Sequence, residues 1–173
     1  MEIVLVLHNI RSTYNVGSIL RTADGFGVKQ VIYSGYTPVP LPYSTMLPHL
    51  ANKVTTQIHK TALGAETTLQ STLSNDIIGT LTGLRKAGYQ IIGLENNIDE
   101  PNSHLLTEKN LNKFLQSKIV ILLGEEVLGI SRELYKLVDL FLEIPMYGKK
   151  ESFNVSVATA ILLFYLRYQS ESL

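Results

Sequence analysis

The sequence contains no cysteine, which excludes disulfides, thiolate metal sites and a cysteine nucleophile, and fits a cytoplasmic protein. Net charge is also absent: 15 Lys+Arg balance 15 Asp+Glu. Nucleic-acid binders usually carry a basic excess because phosphate neutralisation dominates their affinity, so any basic surface here is local. Long hydrophobic runs are missing too. The N-terminal apolar stretch covers only Ile3–Leu7, and the richest one, Ala158–Leu166, stops at Arg167. A signal peptide needs a longer stretch behind basic residues, and a membrane span needs about 20 apolar residues. The chain therefore reads as soluble. No G-x-G-x-x-G, P-loop or G-x-S-x-G pattern occurs. His8, His49, His59 and His104 are scattered without ligand spacing, so no metal site is expected.

What is present points to a packed α/β chain. Hydrophobic residues make up 45% of 173 positions and charged ones 17%, enough to bury one core, and no repeat or linker divides the sequence. Apolar β-rich runs alternate with helical periodicity, the pattern of a mainly parallel sheet flanked by helices. Strands are expected at Ile3–Leu7, Gln30–Ser34, Gln90–Leu94, Lys118–Leu123 and near Asp139–Ile144. Helices are expected at Asn15–Phe26, Ser74–Ala87, around Ser131–Leu137 and from about Asn154 to Gln169. Gly35–Pro48, with Pro38, Pro40, Pro42 and Pro48, reads as a mobile loop, and Asn96–Asn110 as a polar one.

The last helix has almost no polar face between Val155 and Leu166. A helix that is apolar all round is buried all round. A second copy of the chain is the economical cover for its outer side, with a fully central position inside one subunit as the alternative.

Ligands of open α/β sheets gather beyond the carboxyl ends of strands, and three segments follow strands in that way. The first, His8–Ala23, opens a helix near Asn15-Val16-Gly17 and carries Arg21 about a turn and a half further on. A guanidinium near such a junction suits phosphate or ribose oxygens; alternatively Asn15 is an ordinary N-cap and Arg21 a solvated side chain. The second, Gly124–Gly129, brackets Glu125 and Glu126 between glycines that admit close approach to the backbone, or is a plain polar turn. The third, Ile144–Ala158, joins Gly148, Lys149 and Lys150 to Ser152 and Asn154, which occupy helix-cap positions where unpaired N–H groups hold anions; without a ligand it is a capped helix behind a basic loop.

Together, these segments resemble the three motifs of the SpoU-type (TrmH-like) family of SPOUT methyltransferases. Asn15, Gly17, Arg21 and Ala23 match N-x-G-x-x-x-R-x-A; Gly124, Glu126 and Gly129 match G-x-E-x-x-G; and Ile144–Ala158 matches I-P-M-x-G-x-x-x-S-x-N-V-S-V-A. The chain departs from the usual pattern at Glu125 and Val127, where the family often reads G-N-E-G, and at Phe153, where Leu is common. Glu125 adds negative charge beside the turn.

The resemblance implies a SPOUT fold with a deep C-terminal trefoil knot, a rare exception to ordinary topology, and a homodimer. It implies S-adenosylmethionine gripped around Leu94, Gly124, Ile144, Met146, Ser152 and Phe153. The reaction would be methyl transfer to a ribose 2′-hydroxyl of RNA, preferably a transfer RNA, with ribosomal RNA methylation or non-catalytic RNA binding as alternatives. Arg21 would contact phosphate and stabilise the developing alkoxide, acting as base only with a strongly depressed pKa. Glu126 would orient Arg21 or shape its turn, Ser152 and Asn154 would position cofactor or ribose, and Asn15 would fix the first loop. Arg11, Arg21, Lys149 and Lys150 are the candidate phosphate contacts.

Overall fold

The computed structural model describes residues 1–107 and 111–171. Its strands are β1 (Glu2–His8), β2 (Gln30–Ser34), β3 (Ser71–Ser74), β4 (Gln90–Leu94), β5 (Ser103–Leu105), β6 (Lys118–Leu123) and β7 (Leu140–Glu143). Its helices are α1 (Thr13–Gly25), α2 (Pro48–Ala62), α3 (Ala65–Thr68), α4 (Ile77–Lys86) and α5 (Val155–Glu171), with short 3-10 turns at Leu111–Phe114 and Arg132–Leu137. The strands form one sheet in the order β3-β2-β1-β6-β4-β7-β5, and every pairing between described strands is parallel.

Parallel sheets require cover on both faces, so their central strands are apolar throughout. Side chains of successive strand residues point to opposite faces, and the sequence fills both. Ile3, Leu5 and Leu7 of β1 join Ile119, Ile121 and Leu123 of β6 in the core beneath α1, α2 and α5. Val4 and Val6 join Val120 and Leu122 on the other face, beneath Leu81 of α4 and Leu134 of the second 3-10 turn. The mainly parallel α/β architecture expected from the sequence is therefore the one observed.

Element boundaries differ in instructive places. Helix α1 begins earlier than expected, because Ser12 and not Asn15 is its N-cap, accepting from the Asn15 N–H. The whole of α2 lies in a stretch for which no element was expected. Pro48 stands at its first turn, where a missing N–H costs nothing, so the residue taken as the end of a loop is the start of a helix. Helix α4 starts after Asp76, whose carboxylate accepts from Gly79 N–H at 2.9 Å, leaving Ser74 to end β3. Strand β5 falls inside the expected Asn96–Asn110 loop; it is three residues of edge strand, too short for a pattern, and residues 108–110 of that loop lie outside those described.

Helix α5 is not central. Leu162, Leu163 and Leu166 are fully buried against the sheet and α1, whereas Val157, Phe164 and Tyr168 are 46%, 61% and 61% exposed. Spacings of seven and four place these three on one helical face, and the Phe164 and Tyr168 rings stack with centroids 6.1 Å apart. Arg167 locks the helix to the start of the chain, donating to the carbonyls of Phe26, Gly27 and Met1 at 2.7–2.9 Å. No helix of the described residues is long and apolar enough to cross a membrane.

Gly17 marks the closest approach of α1 to α2. A Cβ built there would lie 2.2 Å from Thr61 Oγ1 and 2.3 Å from the Ile58 carbonyl oxygen. Gly17→Ala is expected to destabilise the protein by about 1–3 kcal/mol in urea titrations, because backbone overpacking outweighs the better helix propensity of alanine, about 1 kcal/mol.

Candidate functional site

Three loops meet beyond the carboxyl ends of adjacent strands β6, β4 and β7 and enclose a cleft of about 300 Å³. The segment after β4 contributes Leu94, Glu95 and Asn96, and the turn after β6 contributes Gly124, Glu125 and Glu126. The segment after β7, with the first turn of α5, adds Ile144, Ser152, Phe153, Asn154, Val155 and Ala158. Topology puts the cleft where ligands gather. From adjacent β1 and β6 the chain leads away in opposite directions, to β2 on one side and to β7 on the other, which defines a switch point.

The Glu126 carboxylate holds the first two loops together. It accepts from Arg11 N–H at 2.9 Å, Ser12 N–H at 3.1 Å and the Asn15 side-chain amide at 2.9 Å. Donors at the start of α1 lack intrahelical partners, and the helix dipole favours an anion there. Burial alone raises the Glu126 pKa, but the bonds from Arg11, Asn15 and Ser12 outweigh it and hold the carboxyl below its usual range. Asn15 passes the connection on. Its side-chain oxygen accepts from Asn154 Nδ2 at 3.1 Å, and Asn154 caps α5 by accepting from Ser156 N–H at 3.0 Å.

Glu125 is spent on its own turn. One carboxylate oxygen accepts from the N–H groups of Val127 and Leu128 at 3.2 and 2.5 Å; the other pairs with the Arg11 guanidinium at 3.1 Å. The backbone closes on itself through reciprocal Glu125–Gly129 hydrogen bonds at 3.1 and 2.9 Å. Gly129 has φ +70°, a left-handed conformation that favours glycine. The negative charge expected of Glu125 is thus largely neutralised locally, and Val127 and Leu128 at the tip face solvent.

The segment after β4 clamps the one after β7. Asn96 accepts from Ile144 N–H at 3.0 Å and donates to the Ile144 carbonyl at 2.8 Å. Glu95 accepts from Ile130 N–H at 2.8 Å. Burial pushes its carboxyl above the usual range, the N–H groups of Ile130 and Asn96 oppose this, and the nearby Glu143 charge adds to the rise.

Most of the residues expected from the sequence converge here. Leu94, Gly124, Glu126, Ile144, Ser152, Phe153 and Asn154 line the cleft, and Asn15 closes its edge through Glu126 and Asn154. Met146 is half-buried outside the lining, and Lys149 and Lys150 lie exposed in the loop before α5. Arg11 is held by Glu125. Arg21 does not reach the cleft. Six residues at about 100° each carry it about 120° around α1 from Asn15, onto an exposed hollow lined by Asp24, Ala62 and Thr68. Glu126 therefore shapes the start of α1 and does not orient Arg21; Asn15 is a bridge and not a cap. Glu95 and Asn96 belong to none of the three motif segments, although both directly follow a strand, the position that marks the other loops. Among the described residues no group of His, Asp or Glu is arranged to hold a metal ion.

A parallel sheet covered by helices on both faces, with a cleft assembled from loops at its carboxyl edge, defines a ligand-binding α/β protein. The chain belongs to the SpoU rRNA Methylase family, whose family model matches residues 2–164. It is 32% identical to a 23S rRNA (guanosine-2'-O-)-methyltransferase, RlmB, of Nitrosomonas europaea, over 94% of this chain and 54% of that protein. The A. aeolicus TrmH/SpoU tRNA modifying enzyme shares the fold with a TM-score of 0.77 at 23% identity, over 99% of this chain and 76% of that one. An AdoMet-bound rRNA methyltransferase from Sinorhizobium meliloti superposes with a TM-score of 0.75 at 24% identity, over 97% and 56% of the two chains. The chain spans little more than half the length of the curated relatives it matches, 54% and 60% for two of them.

The folded pKa of Glu126 lies below its unfolded value, so the stability it contributes is complete above the ordinary carboxylate range and is lost as pH falls through the folded pKa. Glu126→Gln is expected to lose about 1–2 kcal/mol at pH 7, a figure reduced for partial exposure. The gap to wild type should narrow as urea melts are repeated towards pH 3. A constant gap across that range would show that the charge contributes nothing.

Proposed function

We propose that residues 1–173 form one cytoplasmic methyltransferase domain that transfers a methyl group from S-adenosylmethionine to a ribose 2′-hydroxyl of RNA, working as a homodimer. The observation that carries this reading is the convergence of the three motif segments on one cleft, joined through Glu126, Asn15 and Asn154. Family membership supports it, as do the named activities of the methyltransferase relatives. The cleft fits the cofactor: its volume is at the lower end for small-ligand sites, apolar Leu94, Ile144, Phe153 and Ala158 suit a heterocycle, and Glu95 offers a carboxylate to a donor. Bound there, S-adenosylmethionine supplies an activated methyl group on a sulfonium. The chain's own contribution is alignment, since in-line transfer depends on holding acceptor and donor at a fixed angle. Ser152 and Asn154 stand at the mouth to position cofactor or ribose. In the same reading the C-terminal segment threads a loop to make the deep trefoil knot that the SPOUT resemblance implies.

Arg21 enters this scheme from a second copy. It faces away from its own cleft, so a role at the reacting hydroxyl requires that it be supplied in trans. The exposed apolar face of α5, adjoining α1, is the surface on which two copies would meet. Transfer RNA remains the proposed substrate class, with ribosomal RNA as the alternative that the RlmB relatives favour. Exposed Lys149 and Lys150 are the phosphate contacts proposed beside the cleft.

Mass-spectrometric mapping of 2′-O-methyl marks in total RNA, from cells with and without the protein, is expected to show one site lost; no lost mark would overturn the reading. Arg21→Ala should bind S-adenosylmethionine normally and methylate at least about a hundredfold more slowly. Mixed with Ala158→Phe, which fills the cleft, it should recover about a quarter of wild-type activity if each site draws on both copies. No recovery would place Arg21 outside the reaction in trans.

A further inference from the structure

We infer that Glu95 is the residue that recognises the ribose of the bound adenosyl cofactor, an assignment that rests on the methyltransferase reading above. Three carboxylates border the cleft, and two are fully engaged. Glu126 spends both oxygens on the start of α1, and Glu125 spends both on its own turn and Arg11. Glu95 differs: its Oε2 accepts from Ile130 N–H at 2.8 Å, the neighbouring Asn96 N–H also acts on the carboxylate, and no guanidinium or side-chain amide among the described residues is bonded to it. With about four lone-pair sites on a carboxylate and only backbone donors placed on it, Glu95 is the acid at the cleft that is positioned and keeps acceptor capacity for a ligand.

Its position is enforced. Gly129 packs against the carboxyl group so closely that a Cβ there would lie 2.2 Å from Oε2, so the turn after β6 seats the acid as well as closing on itself. The Ile130 N–H fixes one oxygen and thereby fixes the plane of the other. On the far side, Glu143 is engaged by Asn97 N–H and the Ser103 hydroxyl and is unavailable as a substitute. An acidic residue directly after a sheet strand accepts hydrogen bonds from ribose hydroxyls in other α/β nucleotide sites for the same reason: a diol presents two donors, and a fixed carboxylate can accept them without reorganising. An adenosyl cofactor offers cationic groups to a carboxylate as well, so the ribose assignment is tested with a ligand that has none.

Glu95→Gln keeps a carbonyl oxygen for Ile130 N–H, so its ligand-free thermal midpoint should match wild type. Calorimetric titration with S-adenosylmethionine, S-adenosylhomocysteine and 5′-methylthioadenosine tests the assignment, since the last keeps adenosine and lacks both cationic groups. All three affinities should fall together by about tenfold or more, the scale of a hydrogen bond to a charged acceptor. An unchanged affinity for 5′-methylthioadenosine overturns the assignment, whether the other two fall, pointing to a cationic group, or stay unchanged. Failure of the wild-type protein to bind any of the three would overturn the cofactor reading and this assignment together.

Discussion

The site depends on one buried-end interaction: a carboxylate from the β6 turn set against the unpaired N–H groups at the start of α1. Glu126 satisfies two backbone donors and one side-chain amide at once, and the helix dipole makes that position favourable for a negative charge. Without it, α1 would keep its packing on the sheet and α2, but Asn15 would lose the orientation that lets it meet Asn154. The loop after β6 and the first helix would then be joined, among the described residues, only by the Arg11–Glu125 pair, and the cap of the last helix would lose its link to them. With it they are one wall of a cleft.

Around that contact the charges have distinct tasks although their chemistry is the same. Glu125 stabilises a four-bond turn, Glu126 a helix start, and Glu95 a position facing the ligand space. Their burial and partners account for the difference: the pKa of Glu126 is lowered because donors outnumber what burial costs, while that of Glu95 is raised because burial wins. A balanced net charge is compatible with this arrangement, since Arg11 pairs with one acid at the cleft and backbone donors stabilise the others, and Lys149 and Lys150 stand as exposed positive charge.

The central strands were legible because β1, β4 and β6 must be apolar on both faces, a pattern that survives without context. The positions around the cleft were legible for a second reason: glycines and polar residues directly after strands are a local signature. What could not be read has physical causes as well. Helix α2 hid behind Pro48, whose role depends on whether a helix follows it. Ser12 outcompeted Asn15 as cap because a carboxylate 111 residues away claims the Asn15 side chain, and no local window contains that partner. The separation of Arg21 from its own cleft follows from helical phase and was available in principle. Strand β5 exists only because β7 offers an edge.

The hydrogen bonds that tie α1 to the cleft through Asn15 join residues that lie 111 and 139 positions apart in the chain, in a sheet whose neighbours are all reached by crossover. Contacts of such separation form only after large loops have closed, which makes folding slow and late to commit. Asn15 can meet neither Glu126 nor Asn154 until almost the entire chain is in place. The lining itself falls between Leu94 and Ala158, but the wall that braces it against α1 is a property of the completed fold.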